Sequence, residues 1–208
     1  KWGVINIDGY QVVPNIFDYI GRFEKGLAPV LQSKKWGILD STGRFIVPPS
    51  YEDMGNMSDG QFNVKKEGKW GYIDEFGNTI FKPRFSEAGN FSDNLAPVKL
   101  GEKWGFVGTY GEIAISPVFD YASDFVNGTS AVAVKKKYGV INTNAQFILP
   151  LIYEESNPFN QGLANVRFDG KYGFVDTNNQ VVVSFIQEFA TDFKDGFAQV
   201  TRNGKNGI

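Results

Sequence analysis

Lys103-Trp104-Gly105 is the clearest copy of a tripeptide that returns every 34 residues along this chain. An aromatic residue stands before glycine in six successive copies, and Asn206 takes the place of the ring in a seventh. The six aromatic pairs are Trp2-Gly3, Trp36-Gly37, Trp70-Gly71, Trp104-Gly105, Tyr138-Gly139 and Tyr172-Gly173. A fixed period of this length predicts a tandem array of one small structural unit.

Further columns keep the same spacing, and we predict that three of them form the core. The first is the tryptophan column, the second holds a ring that lapses only at Gln187, and the third is valine. Their members are Trp2, Trp36, Trp70 and Trp104; Phe17, Tyr51, Phe85, Phe119 and Tyr153; and Val30, Val64, Val98, Val132, Val166 and Val200. Large rings and β-branched residues at constant spacing are typical of a repeated β-sheet core.

The residues around Trp104 predict three or four short antiparallel strands per repeat. Segments 95–100 and 103–107 form a hairpin around a glycine-containing turn, and 112–116 is a third strand after a second turn. Segment 119–122 is a short, irregular outer strand. The second and third strands carry adjacent apolar residues, which predicts that both of their faces are covered. No segment has a helical period, so the chain is predicted to be all-β.

We expect one continuous array over residues 1–208 rather than separate domains. Its six repeats cover 1–34, 35–68, 69–102, 103–136, 137–170 and 171–204, and residues 205–208 begin a seventh. Small sheets of this kind form either a propeller-like ring or an open β-solenoid. The ring is preferred, because residues 197–202 supply a first strand that the start of the chain lacks.

The motif words resemble the WG repeats, a family of repeats of about 35 residues. Lys-Trp-Gly is followed by an apolar residue, Ile and Asp, then by an Ile/Val-Pro strand and by Phe-x-x-Gly-Leu-Ala-x-Val. The resemblance covers the whole chain, and Tyr138, Tyr172, Asn206 and Gln187 depart from it. It implies a bacterial, non-enzymatic module of the cell surface or envelope, and it brings no catalytic residues. The chain opens at Lys1 within the motif, so we expect a processed or partial chain whose signal or anchor lies elsewhere.

Composition removes several classes of function. The chain has no histidine and no cysteine, so the commonest metal ligands and general base are missing, and we expect no cofactor and no metal site. A net charge of −2 does not support a nucleic-acid partner. No apolar run reaches the length of a membrane span.

Carboxylates are the best candidates for catalysis, since they recur just after the core ring of each repeat. They are Asp18, Glu52, Asp53, Glu87, Asp120, Glu154, Glu155 and Glu188. Paired carboxylates hydrolyse glycosides, and a ring of them binds calcium. A catalytic pair breaks the symmetry of a repeat, whereas these residues follow it, so we expect turn hydrogen bonding and no enzyme.

A lysine precedes each of the six aromatic–glycine pairs, and Lys205 precedes Asn206-Gly207 in the seventh copy. One interpretation is recognition of a polyanion or of an acidic partner. The other, which we favour, is an exposed edge whose lysines discourage unwanted strand pairing, with charges balanced by the carboxylates.

Rings at variable turn positions are the best candidates for binding. Phe76 and Tyr110 occupy a position that is polar in the other repeats, and Tyr10 lies near the equivalent turn of the first repeat. Tyr19, Tyr121 and Phe189 share a second such position. We predict that a protein partner docks on Tyr10, Phe76 and Tyr110, because variable turns encode specificity without damage to the repeat. A glycan or peptidoglycan partner is the alternative.

Overall fold

The computed structural model describes residues 1–207, which form strands and turns and no helix. The chain divides into two compact units. The first contains residues 1–91 and 109–112, and the second contains residues 92–108 and 113–208, of which the structure describes all but the last.

The first unit contains a two-stranded sheet, two four-stranded antiparallel sheets and one further short strand. Within each four-stranded sheet the strands lie in chain order, with a two-residue strand at one edge. The strands are β1 (Trp2–Ile5) and β2 (Gln11–Phe17); β3 (Tyr19–Ile20), β4 (Leu27–Gln32), β5 (Lys35–Asp40) and β6 (Phe45–Tyr51); β7 (Asp53–Met54), β8 (Gln61–Lys66), β9 (Lys69–Asp74) and β10 (Thr79–Phe85); and β11 (Glu87–Ala88).

The second unit repeats the same antiparallel arrangement. Its strands are β12 (Leu95–Leu100), β13 (Lys103–Gly108) and β14 (Ile113–Phe119); β15 (Tyr121–Ala122), β16 (Thr129–Val134), β17 (Lys137–Asn142) and β18 (Phe147–Tyr153); β19 (Glu155–Ser156), β20 (Leu163–Phe168), β21 (Lys171–Asp176) and β22 (Val181–Gln187); and β23 (Phe189–Ala190), β24 (Val200–Arg202) and β25 (Lys205–Gly207).

Each four-stranded sheet is built from two consecutive sequence repeats. The hairpin of β16 and β17 crosses the boundary between residues 136 and 137, so it joins the fourth repeat to the fifth within one sheet. The irregular outer strand predicted at 119–122 is shorter than expected and lies elsewhere. Its last two residues form β15, which pairs with β16 and opens the next sheet. Consecutive repeats are therefore interlocked by strand pairing.

In each four-stranded sheet the three long strands are called the first, second and third strand, such as β4, β5 and β6. Tight two-residue turns connect the first and second of them. In the turn between β4 and β5, both Ser33 and Lys34 have positive φ, at 51° and 65°. The same holds for Lys135 and Lys136, at 51° and 61°. Two successive residues with positive φ are characteristic of type I′ turns, whose twist matches that of the flanking strands.

The glycine of the repeated motif lies under the third strand. A Cβ on Gly105 would meet the Ile115 carbonyl oxygen at 2.5 Å and the Pro117 nitrogen at 2.7 Å. The third strand carries a register irregularity here, since Trp104 pairs with Phe119 and Phe106 pairs with Ile115. A Cβ would meet the equivalent carbonyl oxygen at 2.5–2.6 Å if it were added to Gly37, Gly71, Gly139 or Gly173. The glycine is needed because the bulged strand leaves no room for a side chain.

The core confirms the predicted ring and valine columns. Phe17, Phe85, Phe119 and Tyr153 are buried, and Tyr51 is half-buried. Every valine of the column is buried except Val200, the last. In the second unit Phe106 packs edge-on against Phe125 with ring centroids 4.9 Å apart, inside a cluster with Leu95 and Ile115.

The prediction for the tryptophan column is wrong at Trp2. Trp36, Trp70 and Trp104 are half-buried, but Trp2 is 59% exposed. In the complete sheets the first strand lies beside the tryptophan, as Leu31 lies opposite Trp36. Trp2 belongs to a sheet of only two strands, so its ring lacks that neighbour.

The third strand also differs from the prediction. The second strand is buried over three consecutive residues, as expected for a strand covered on both faces. The third strand instead exposes Phe45 and Ile46 in β6, and Val181 and Val182 in β22. It lies at the edge of its sheet, where outward side chains have no further layer to pack against.

Candidate interaction surface

The turn between the second and third strands is shaped by a side chain at its first position. Oδ1 of Asp74 accepts the backbone N–H groups of Phe76 and Asn78, at 3.0 and 2.7 Å. Asp40 and Asn6 build their own turns in the same way. These Asx bonds determine the turn conformation. The side chain at the tip is therefore free to vary.

The three predicted rings project from these turns into solvent. Tyr10 and Phe76 are each 71% exposed, and Tyr110 is 95% exposed. No ring pair of the described residues includes any of them. We refer to Tyr10, Phe76 and Tyr110 as the aromatic turn surface. The structure shows that the rings are accessible, and their role in binding stays a prediction.

Successive turns lie on the same side of their sheets. The turn glycines Gly43, Gly77 and Gly111 each approach the third strand of the preceding repeat. A Cβ on Gly77 would lie 2.7 Å from a Val47 methyl group, and one on Gly111 would lie 3.5 Å from the Ile80 carbonyl oxygen. The rings of Phe76 and Tyr110 therefore follow one another along one rim of the first compact unit.

Ile7 is a member of this rim that the sequence reasoning missed. It lies in the same turn as Tyr10 and its side chain is fully exposed. The equivalent residues in the other repeats are Ser41, Glu75, Thr109, Thr143 and Thr177. An apolar residue in a column of hydroxyl and carboxylate groups is the signal in the sequence that could have identified it.

The second group of candidate rings has a packing role. Tyr19 packs edge-on against Trp36 at 5.7 Å, Tyr121 lies 5.5 Å from Tyr138, and Phe189 packs edge-on against Tyr172 at 6.2 Å. Tyr19 and Tyr121 each cover the aromatic residue of the next repeated motif, whereas Phe189 packs against that of its own repeat. The fold therefore explains Tyr19, Tyr121 and Phe189 without a partner.

The position of Tyr19 in the repeat holds either an aromatic ring or a carboxylate opposite a basic residue. Tyr19 lies opposite Leu31 and Tyr121 opposite Ala133, whereas Asp53 lies opposite Lys65 and Glu155 opposite Arg167. The basic residue then covers the motif ring, with the Lys65 ammonium 5.8 Å from the Trp70 ring centre and the Arg167 guanidinium 5.7 Å from that of Tyr172. A ring or an acid–base pair thus protects the same half-buried aromatic residue.

The carboxylates that follow the core ring accept hydrogen bonds from backbone N–H groups of the two-residue hairpin turns. Asp120 accepts the Lys135 backbone N–H at 2.6 Å, and Glu52 accepts the N–H groups of Glu67 and Gly68, each at 3.0 Å. Asp18 and Glu188 make equivalent bonds, to Ser33 and Gly204. The expected turn bonding is confirmed for these carboxylates, and it explains why they recur with the repeat.

Hydrogen bonding also lowers the pKa of Asp120. The Lys103 ammonium donates to Oδ1, the Lys135 N–H donates to Oδ2, and both hold the pKa of this carboxyl below its ordinary value. Because the pKa is depressed in the folded state, the ionised form stabilises the fold above the unfolded pKa. That contribution is lost as the pH falls through the unfolded and then the folded value.

We therefore expect Asp120→Asn to lower stability at neutral pH and to lose this effect in acid. Asparagine keeps an acceptor for the Lys135 N–H, so the variant removes mainly the charge. The difference in urea midpoint between wild type and variant should shrink as the pH falls from about 6 to about 3. It should also shrink at high salt, since both partners are partly exposed. A difference that is independent of pH would contradict the electrostatic explanation.

Three lysines of the column that precedes the aromatic–glycine pairs are paired with these acids. Lys1 pairs with Asp18, Lys103 pairs with Asp120, and Lys171 lies 3.9 Å from Glu188. The Lys137 ammonium donates instead to the Ile152 carbonyl oxygen at 3.3 Å. Lysines engaged in this way do not form a strongly positive surface. The edge-protection interpretation is not supported either, because Lys35, Lys103 and Lys171 lie on strands that are paired on both sides.

Two depressions of the second unit are lined by residues other than Tyr10, Phe76 and Tyr110. One open depression of about 520 Å³ is lined by residues that include Asn127, Phe159 and Thr177, and another of about 660 Å³ by residues that include Thr191 and Phe197. Among residues 1–207, no three acidic side chains come together in a group that could hold a metal ion. The same residues contain no helix long and apolar enough to cross a membrane.

The family of the chain follows from its repeats. The family model described as the WG containing repeat matches six adjoining stretches, at residues 2–36, 36–70, 70–104, 104–138, 138–172 and 172–205. The chain belongs to the WG containing repeat family. The resemblance drawn from the motif words is thereby confirmed. No curated protein sequence matches the chain.

Solved structures similar to the WG repeats show the fold. Hsv2p of Kluyveromyces lactis is 13% identical with a TM-score of 0.52, and the match covers 89% of this chain and 72% of that chain. A eukaryotic initiation factor is 12% identical with a TM-score of 0.61, over 96% of this chain and 64% of that chain. The dihydro-heme d1 dehydrogenase NirN is 12% identical with a TM-score of 0.50, over 87% and 51%.

These likenesses confirm the predicted all-β, propeller-like class. At such low identity they show the fold alone, and they include an initiation factor and a dehydrogenase. A fold shared by proteins of such different names does not carry a function with it. Function has to be argued from the surface of this chain.

Proposed function

We propose that this WG-repeat array is a non-enzymatic interaction module that binds a protein partner through the aromatic turn surface. The observation that carries the proposal is the exposure of Tyr10, Phe76 and Tyr110 on turns that Asn6 and Asp74 already shape, or that glycine shapes at 108 and 111. A ring that the fold does not need, and that solvent surrounds, is typical of a binding residue.

The composition of the rim favours a protein. Ile7 extends the surface with an aliphatic side chain, which suits an apolar protein contact better than a sugar hydroxyl. The rings stand on turn tips, and the two depressions described above are lined by other residues. Small ligands usually bind in concave pockets with a few convergent polar groups, whereas protein partners cover convex tips.

Glycan binding is the second candidate. Its support is the nearly complete exposure of Tyr110, since a flat ring open on both faces can stack on a sugar. The rim groups Asp8, Glu75 and Glu112 could accept hydrogen bonds from sugar hydroxyls. A glycan array probed with wild type and with the ring variants separates the two candidates.

The test is a double variant, Phe76→Ala/Tyr110→Ala, measured for affinity against a partner identified by cross-linking to the wild-type chain. Each ring is expected to contribute about 1 kcal/mol, so the double variant should bind at least about tenfold more weakly. The matched control is Asn144→Ala/Asn178→Ala, which changes the same turn position in the fifth and sixth repeats.

Circular dichroism should show that both double variants are folded. Full affinity in the folded ring variant would contradict the proposed docking site. Loss of glycan-array binding in the ring variant, without any protein partner, would favour the glycan candidate. Turnover of a sugar polymer that is abolished by changing one carboxylate would contradict both.

A further inference from the structure

One depression of the second unit is open because a side chain in it is smaller than its counterparts in other repeats. Thr129 lines this depression of about 520 Å³. The same position elsewhere holds Leu27, Gln61, Leu95, Leu163 and Phe197. Leu95 packs in the cluster that contains Phe125, and Phe159 is the equivalent of Phe125 in the next repeat. The volume that leucine fills in that cluster is therefore left open beside Thr129 and Phe159.

The same depression contains a backbone N–H group that the fold leaves without an acceptor. In two neighbouring repeats the corresponding glycine donates to a side-chain oxygen of the repeat before it. The Gly128 N–H donates to Oδ2 of Asp93 at 2.7 Å, and the Gly196 N–H donates to Oε1 of Gln161 at 3.0 Å. Among residues 1–207, no group accepts a hydrogen bond from the N–H of Gly162. Gly162 is exposed, so an acceptor from outside the chain can reach this group.

Gly60 shows that the free N–H group and the open volume are separate features. The Gly60 N–H also has no acceptor within the described part of the chain, because the residue in the accepting position is Lys25, whose side chain only donates. Leu27, however, packs against the cluster that contains Met57, the equivalent of Phe159. The depression of the second unit combines both features in one place.

Asn127 is the residue equivalent to Asp93 and Gln161, but its side chain acts as a donor. Its Nδ2 donates to the Phe159 carbonyl oxygen at 3.4 Å, so its Oδ1 stays available as an acceptor. The Phe159 N–H donates to the Thr129 hydroxyl at 2.9 Å. That hydroxyl in turn donates to a carbonyl oxygen, which leaves Thr129 only its methyl group for contact with a ligand. The depression therefore offers one backbone donor, one amide acceptor and an apolar patch, on a wall that hydrogen bonds hold in place.

We propose that this depression binds the acetamido group of an N-acetylhexosamine in a glycan. The acetamido oxygen accepts the Gly162 N–H, as the amide oxygen of Gln161 accepts the Gly196 N–H one repeat later. The acetamido N–H donates to Oδ1 of Asn127. The acetamido methyl group fills the volume that Thr129 leaves open.

The remaining groups of the depression favour a sugar over other ligands. Asn160, Gln161 and Thr177 line it with amide and hydroxyl groups, and no charged side chain is among its lining residues. Sugar hydroxyls need such neutral donors and acceptors, whereas the aliphatic chain of an acetylated lysine needs apolar walls. A carboxylate or phosphate ligand would find no cation to pair with. The volume lies within the range of about 300–1,000 Å³ that is usual for small-ligand sites.

Nuclear magnetic resonance titration with tri-N-acetylchitotriose, a trimer of N-acetylglucosamine, tests the proposal. The backbone amide signal of Gly162 and the side-chain amide signals of Asn127 should shift until saturation. The amide signal of Gly196, whose N–H is already bonded within the chain, should shift far less. Cellotriose has hydroxyl groups in place of the acetamido groups, and it should bind at least about tenfold more weakly. Equal binding of cellotriose, or no saturable shift at Gly162, would overturn the proposal.

Asn127→Asp removes the proposed donor and should leave the fold intact, since Asn127 is exposed. The new carboxylate should accept the Gly162 N–H, as Asp93 accepts that of Gly128. Binding of tri-N-acetylchitotriose should then weaken at least about tenfold. Asn144→Asp is the matched control, because it makes the same change on an exposed turn outside the depression. Wild-type affinity in Asn127→Asp would contradict the role of Gly162.

The proposed site is independent of the aromatic turn surface, and two measurements keep them apart. The variant Phe76→Ala/Tyr110→Ala should bind tri-N-acetylchitotriose with wild-type affinity, whatever it does to a protein partner. Loss of sugar binding in that variant would place the glycan on the turn tips and overturn the present site. A peptide with one acetylated lysine that binds at Gly162 more tightly than the trimer would overturn the choice of a sugar.

Discussion

Phe106→Ala is expected to lower the free energy of unfolding by about 3–5 kcal/mol. The Phe106 side chain is completely buried within the cluster of Leu95 and Ile115, and its ring centroid lies 4.9 Å from that of Phe125. Removing the ring takes away its transfer free energy and leaves a cavity that strands on both sides keep from collapsing. Equilibrium denaturation followed by circular dichroism measures the loss.

Phe76→Ala is the matched control for Phe106→Ala. It removes the same side chain from an exposed turn, so its effect on stability should stay within about 0.5 kcal/mol. Similar losses for the two variants would mean that Phe76 packs against a neighbour, which would also weaken its assignment to the aromatic turn surface. A neutral Phe106→Ala would remove this ring from the core.

Gly105→Ala is expected to cost about 2–3 kcal/mol, although it adds a single methyl group. That methyl would lie 2.5 Å from the Ile115 carbonyl oxygen and 2.7–2.8 Å from two further backbone atoms of the third strand. Backbone atoms cannot rotate away as the end of a side chain can. The bulged strand must therefore move, and its pairing with β13 is weakened. The measurement is again the free energy of unfolding.

Gly128→Ala separates crowding from backbone strain. Gly128 has φ of 76° and open space around it, so alanine there costs only the left-handed conformation, about 1 kcal/mol. Gly105 lies in the opposite situation, with close neighbours and no positive φ. If Gly128→Ala is the more destabilising of the two, the third strand has more freedom than the structure indicates.

Much of the fold could be predicted from the sequence because the strands, turns and core columns of the repeat are marked by residue type and spacing along the chain. The hairpin of β12 and β13 follows from apolar segments on both sides of Gly101, and the 34-residue spacing follows from counting. The burial of Phe85 and Val98 follows from their constant columns. These features depend on neighbouring residues and on residue type, both of which are visible in one chain.

Two predictions failed because they depended on which strand lies at an edge. Trp2 was expected in the core, but its sheet has only two strands. Val182 was expected under a covering layer, but β22 is the last strand of its sheet. Apolar character indicates that a side chain can be buried, and only the position of its strand among the others decides whether it is.

The sequence by itself determined the repeat, its all-β class and the residues that could vary without harm. Tertiary structure alone decided which variable residues pack and which stay exposed. Tyr19 and Tyr110 both stand where sibling repeats carry polar groups, yet Tyr19 packs against Trp36 and Tyr110 extends into solvent. The carbonyl group that requires glycine at 105 comes from Ile115, on a strand that bulges toward it. Such roles depend on contacts between strands, which sequence spacing does not specify and strand pairing does.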